Sequence, residues 1–262
     1  MLKAFFSSAT GMRAQEVLID VTANNLANVN TNGYKRHHVN FADLLYTNGR
    51  SAGSQVTDTQ TTPVPLQLGS GVRVLGTTKS FQAGILEETG VRTDMAIEGE
   101  GFFRIQMPDG TFAYTRDGAF RMQGDGTLVN GDGFLLADNI QIPENALESL
   151  SIGEDGTVSA VINGQTQNIG QISLVQFRNP AGLKNEGGNL FSETPASGAP
   201  QEGIARTTPG FGRIRQQFLE RSNVEIVREL VSLIAAQRAY EINSRSIRAG
   251  DEMLSNTAQI IR

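Results

Sequence analysis

The chain has no cysteine and no tryptophan, and its only two histidines stand side by side at His37 and His38. Without cysteine there is no disulfide scaffold, no thiolate metal site and no cysteine nucleophile. Two adjacent histidines leave almost no room for a His-based triad or metal cluster. No apolar run approaches the ~20 residues that a membrane-crossing helix needs. Charge is sparse too, at 19% of residues with a net charge of −5, which argues against a dedicated nucleic-acid binder. The expectation is no catalytic residue, no cofactor and no metal, with neither nucleic acid nor membrane insertion among the interactions.

Proline and glycine are missing from particular places. All eight prolines lie between Pro63 and Pro209, in a chain of 262 residues. Only Gly11 and Gly33 occur in the first forty residues, and only Gly212 and Gly250 after position 211. Proline breaks helices and glycine weakens them, so both ends are free to be helical. Charge divides the same way. Residues 1–40 and 212–262 each carry a net charge of +2, and residues 41–211 carry −9.

The N-terminal pattern places Leu2, Phe5, Ala9, Met12, Ile19, Ala23 and Leu26 on one helical face, with Glu16 as the polar interruption. A helix over 2–29 would be ~42 Å long, and Asn28, Asn30, Asn32 and Gly33 supply its ending. Near the other end, Ser222-Asn223-Val224-Glu225 reads as a capping box. After it Ile226, Leu230, Leu233, Gln237, Tyr240, Ser244, Ile247, Asp251, Leu254, Ala258 and Ile261 keep a seven-residue repeat. A second apolar row, Val224, Val227, Val231 and Ile234, widens the stripe. Such stripes are usually internal packing, but two helices alone form a thin pair. Their second faces need another partner, and self-assembly supplies one.

The middle reads as antiparallel β-structure over roughly 95–200, in a small barrel or sandwich. Asp109-Gly110, Asp117-Gly118, Asp125-Gly126, Asp132-Gly133 and Asp155-Gly156 separate short apolar or alternating runs, as hairpin turns needing positive φ would. Expected strands are 102–107, 111–115, 119–122, 127–129, 134–137, 157–162 and 171–177. The Asp-Gly series lacks the converging oxygens of a calcium loop. Glu87/Glu88, Glu98/Glu100 and Glu154/Asp155 could suggest a glycosidase acid and base, but loop carboxylates are ordinarily solvated. Tyr34-Lys35-Arg36-His37-His38 reads as a basic patch facing solvent or another subunit. Residues 46–71, rich in Thr, Ser, Gln and Gly with Pro63 and Pro65, read as a flexible or extended linker.

Four separated motifs then resemble one family. Ala23-Asn24-Asn25-Leu26-Ala27-Asn28, followed by Gly33-Tyr34-Lys35, is similar to the N-terminal signature of flagellar rod and hook proteins. Asn32 stands where that family often has Pro. Ser222-Asn223-Val224, with Gln237-Arg238-Ala239-Tyr240-Glu241-Ile242-Asn243-Ser244, resembles the C-terminal signature. Gly99-Glu100-Gly101-Phe102-Phe103 and Tyr114-Thr115-Arg116-Asp117-Gly118 resemble the shared β-domain. Phe41-Ala42-Asp43-Leu44-Leu45-Tyr46 and Gln67-Leu68-Gly69-Ser70-Gly71-Val72 look like the rod members, and 46–66 corresponds to a stretch that hook proteins generally lack.

The resemblance implies an α+β fold: long N- and C-terminal helices paired in a coiled-coil-like domain, with an inserted antiparallel all-β domain. The corresponding divisions are 1–40 plus 212–262 for helical assembly, 41–94 as connection, 95–200 as the outer domain and 201–211 as return linker. It implies a structural subunit of a rigid, hollow distal rod, polymerising with itself. The proximal rod, the hook or hook-rod junction, the surrounding P and L rings and the type III export apparatus would be its partners. The rod would span the periplasm, and the subunit would be exported without a cleaved signal peptide. Seam residues and the segment marked by Tyr46, Pro63, Pro65 and Leu66 would be assembly contacts. The alternatives are a sister rod or hook subunit, or a rod-associated periplasmic enzyme that cleaves glycan.

Overall fold

The computed structural model describes residues 2–260 except 54, 58, 59, 62, 139 and 163, and the backbone alone at 2, 55–57, 60, 61, 144, 145, 148, 258 and 260. The expected seam position Ile261 therefore lies outside the described residues, as does the Leu2 side chain. The chain divides into two compact units. One holds Met1–Leu26, His37–Thr78 and Glu225–Arg262; the other holds Ala27–Arg36 and Lys79–Val224.

The helical unit contains α1, Leu2–Ala27, and α2, Ile226–Ile260. Their contacts pair Phe5 with Gly250, Ser8 with Ser246, Gly11 with Asn243 and Asn25 with Glu229. One partner ascends as the other descends, so the helices are antiparallel. The strand His37–Asp43 pairs with Val72–Lys79, and Val72 N–H donates to Thr10 Oγ1 on α1 at 3.3 Å. Gly71, at φ +111°, passes so close to Thr10 that a side chain there would collide with it. Tyr46–Arg50 pairs with Leu66–Gly69, so part of the expected linker is an ordered ribbon.

Helix α2 starts later than its sequence suggests. Ser222 Oγ accepts from Val224 N–H within a local turn, and the helix begins at Ile226. The capping box is therefore not formed: Glu225, expected in the first turn, precedes the helix. Residues upstream belong to strands instead. Arg213–Gln216 pairs with Met95–Glu98, and Phe218–Glu220 with Leu86–Glu88.

The second unit is built on strand Phe102–Gln106, which pairs on one edge with Phe112–Thr115 and on the other with Leu135–Leu136 and Ser173–Gln176. The last of these pairings interrupts a simple meander. Alternation along the strand serves two cores, since successive side chains point to opposite faces. Phe103 and Ile105 join Met95, Ile97, Phe120, Leu128, Leu174 and Ile214 in the larger one. Phe102 joins Tyr114, Phe177 and Phe191 in an aromatic cluster that also seats Phe81.

Three turns share the sequence Asp-Gly-Thr. Asp109, Asp125 and Asp155 each accept the Thr N–H and hydroxyl two residues on, while the glycine takes φ between +83° and +86°. These bonds hold all three carboxyls below their ordinary pKa. Gly118 differs from the expectation. It does not take positive φ; glycine is needed because any side chain would strike the Met95 carbonyl oxygen.

Candidate functional site

Helix α2 buries an unexpected face. Glu229, Ala236 and Gly250 are buried at seven-residue spacing, with Asn243 half-buried between the last two. On α1 the buried side chains are Ala14, Thr22 and Asn25. The helices thus meet through small and polar residues, which allow close approach but bury little apolar surface. The repeat length was legible; its phase was not, because a period gives a face and not the face's partner.

The expected seam residues are distributed accordingly. Phe5, Met12, Ile19, Leu26, Leu233 and Ile247 are half-buried, whereas Ala9, Ile226, Leu230, Tyr240 and Leu254 are exposed. Of the second row, Val224 is buried ahead of the helix, while Val227 at 68%, Val231 at 61% and Ile234 at 56% are more exposed still. These last three side chains form an exposed apolar row at helical spacing along α2. On the ribbon, Tyr46, Pro63, Pro65 and Leu66 are all exposed, beside Leu45, Val64 and Leu68.

The signature residues have distinct structural jobs. Asn25 Oδ1 accepts His37 N–H at 2.9 Å, and its amide donates to His37 O at 2.9 Å and to Glu229 Oε2 at 3.2 Å. One buried amide thereby joins the last turn of α1, the strand after it and the first turn of α2. Asn24 is exposed, and Leu26 half-buried. Asn28 closes the following turn, accepting from Thr31 through both its backbone and its side chain. Gly33 takes φ +68°, and a Cβ there would lie 2.6 Å from Asp117 N. Tyr34 is half-buried, and its N–H donates to Thr31 O.

Lys35 corrects the expectation of a solvent- or subunit-facing basic patch. Its side chain is fully buried, with Nζ donating to Glu220 Oε1 at 2.6 Å and to Gln82 O at 2.8 Å. Burial pushes its pKa down, against the opposing pull of Glu220. Glu220 Oε1 also accepts Gly84 N–H, and its Oε2 faces Arg116 Nε at 3.4 Å. Arg116 is buried as well, donating to Gly99 O and Gly101 O. No local pattern could have flagged this cluster, because Lys35 and Glu220 are 185 residues apart.

Carboxylates of the expected pairs are held by arginines, Glu154 by Arg206. Glu98 is held by Arg213 and Arg215, and Glu87 by Arg221. Arg213 and Arg221 hold their partners' pKa values low. Among the described residues, no helix is long and apolar enough to cross a membrane.

Comparison with known proteins gives consistent matches. Residues 7–35 match the family model for flagella basal body rod proteins. Residues 96–160 match the flagellar hook protein FlgE/F/G D1 domain, and 215–260 the flagellar basal body rod FlgEFG protein C-terminal model. The flagellar basal-body rod protein FlgG of Buchnera aphidicola subsp. Schizaphis graminum is 46% identical over 265 residues, covering 99% of this chain and 100% of its own. FlgG of Bacillus subtilis is 39% identical over 270 residues, covering both chains fully at 100%. The flagellar hook-basal body complex protein FlhP of the same organism is 31% identical over 267 residues, covering 97% of each.

Proposed function

The chain belongs to the FlgG family of flagellar basal-body rod proteins, and from that premise we propose that it is the repeating subunit of the distal rod. It polymerises into a straight, hollow drive shaft that transmits torque and encloses the export channel. The single observation that carries the mechanism is the apolar surface left exposed on α2.

The magnitudes favour several neighbours per subunit. Fully burying a Val, Leu or Ile side chain stabilises by ~1.5–3 kcal/mol. Ile226, Val227, Leu230, Val231, Ile234, Tyr240 and Leu254 each retain roughly half their surface. Together they offer on the order of 7 kcal/mol, no more than the ~4–15 kcal/mol of freedom lost on association. A lone dimer gains little from such a stripe. A helical lattice, where each subunit meets several others, gains enough.

Tyr46, Pro63, Pro65 and Leu66 supply further contacts and make the polymer stiffer than a hook. The partners are the proximal rod, the hook or hook-rod junction, the P and L rings, and the type III export apparatus that delivers the subunit. The rod crosses the periplasm, and the absence of cysteine suits unfolded passage into an oxidising space. Catalysis forms no part of this reading.

The test is electron microscopy of purified protein alongside a Val227→Ser/Val231→Ser/Ile234→Ser variant. The unaltered chain should form straight hollow filaments. The variant should keep the thermal unfolding of the β-rich unit and form none. Normal filaments from the variant would overturn the mechanism.

A further inference from the structure

Three stretches of the β-rich unit, distant in sequence, are laced together by very few side chains. Glu220 takes the Lys35 ammonium and the Gly84 amide on Oε1, while its backbone carbonyl accepts Gly33 N–H at 2.8 Å. Asn223 repeats the pattern three residues on. Its Oδ1 accepts Arg36 N–H at 2.7 Å, and its amide donates to Ser80 O and Gln82 O. Arg36 O in turn accepts Ser80 N–H. Segments 33–36, 80–84 and 220–223 thus share one set of fasteners.

The energetics of this set are unusual. Lys35, Arg116 and Glu220 bring two buried cations to one buried anion, and Glu220 Oε2 makes no hydrogen bond. A buried ion cluster gains little over well-packed apolar groups, yet losing one partner is costly. Such a group suits a contact that is either fully made or fully open. The larger apolar core, around Phe103, Ile105, Phe120 and Leu174, contains none of these fasteners.

We propose that Glu220, Lys35 and Asn223 form a latch that seats the loop leaving α1 and the segment leading into α2 in one cooperative step. It opens as a unit without loss of the underlying sheet. While closed, it fixes the chain at Arg36, Lys79 and Val224, three of the four places at which it passes between the two units. When open, all three passages are loose together. This inference stands on hydrogen bonds within one unit and does not rest on the rod reading, so filament formation plays no part in its test.

Two measurements on the full chain decide it. In hydrogen exchange of the unaltered protein, the amides of Gly33, Arg36, Ser80 and Gly84 should share one protection factor, lower than those of Phe103 and Leu174. Unequal protection factors among the four, or a value equal to that of the sheet, would overturn the latch. In limited trypsin digestion, cleavage after Arg50 should precede cleavage after Arg36. Glu220→Gln leaves Lys35 without its counter-charge and Arg116 with Glu100 alone, and should speed cleavage after Arg36 on the order of a hundredfold. Cleavage after Arg104 should not change. Adding Lys35→Met removes one of the two cations and should restore most of the protection at Arg36. Equal acceleration at Arg104, or no reversal by the second substitution, would refute the proposal.

Discussion

The β-rich unit keeps Phe103, Phe120, Ile97 and Ile105 wholly inside, while the helical unit leaves Val227, Val231 and Ile234 mostly in water. Between its helices the helical unit places instead two alanines, a glycine, an asparagine amide and a glutamate. Apolar residues occur in both units; what differs is where the chain finds their partners. The sheet completes its cores with its own strands. The helices turn small and polar faces toward each other and leave apolar faces outward, so one unit buries its apolar side chains and the other exposes them.

The widest contrast is at Phe103. Phe103→Ala should destabilise the β-rich unit by about 3–5 kcal/mol, because it empties the centre of the core. Urea unfolding followed by tyrosine fluorescence would measure it, and a loss below ~1 kcal/mol would break the comparison. Asn25→Ala comes next, at about 1–3 kcal/mol, since it strips a buried carboxylate and the His37 backbone of a partner. That loss should appear in helical circular dichroism before the sheet melts.

Lys79 gives a pH-dependent effect. Burial lowers its pKa to about 7, and its ammonium lies 4.0 Å from the centre of the Phe191 ring. Between about 7 and the unfolded value of 10.5, the unfolded chain holds a proton that the native chain lacks. Stability should therefore rise with pH across that window and lose this contribution as pH falls through about 7. Lys79→Met should flatten the slope, read from thermal midpoints in a pH series. Smallest of all, Val231→Ser should change the stability of the unassembled subunit by no more than ~0.5 kcal/mol. A large loss there would mean that the exposed row is already in use within one chain.

How much of this could be read from sequence depended on the distance over which each feature is decided. A helix expected over 2–29 is found at Leu2–Ala27, and a strand expected at 157–162 is found at Thr157–Ile162. Both follow from local periodicity. The Asp-Gly-Thr turns are equally local, since donor and acceptor lie two residues apart. The errors lie where distant chain intervenes. Ser222 follows a strand that pairs with Leu86–Glu88, so the capping sequence is used in a turn rather than at the start of α2. Lys35 looked like surface charge because its anion is far along the chain. Composition made a linker of 46–71, yet Tyr46–Arg50 and Leu66–Gly69 pair across the gap. The rows of α2 were legible as apolar and as more than two helices could cover, but which row stays exposed was not. That distinction belongs to three-dimensional packing.

The 185-residue separation of Lys35 from Glu220 has a consequence in time. A chain delivered from its N-terminus presents Lys35 early and must hold that ammonium in water until almost the entire β-rich unit has emerged. Each Asp-Gly-Thr turn can form as soon as three residues are free, but the buried pair is unavailable to any fragment ending before residue 220. The pair can close only once residue 220 is present, so its burial reports on nearly the whole length of the β-rich unit at once.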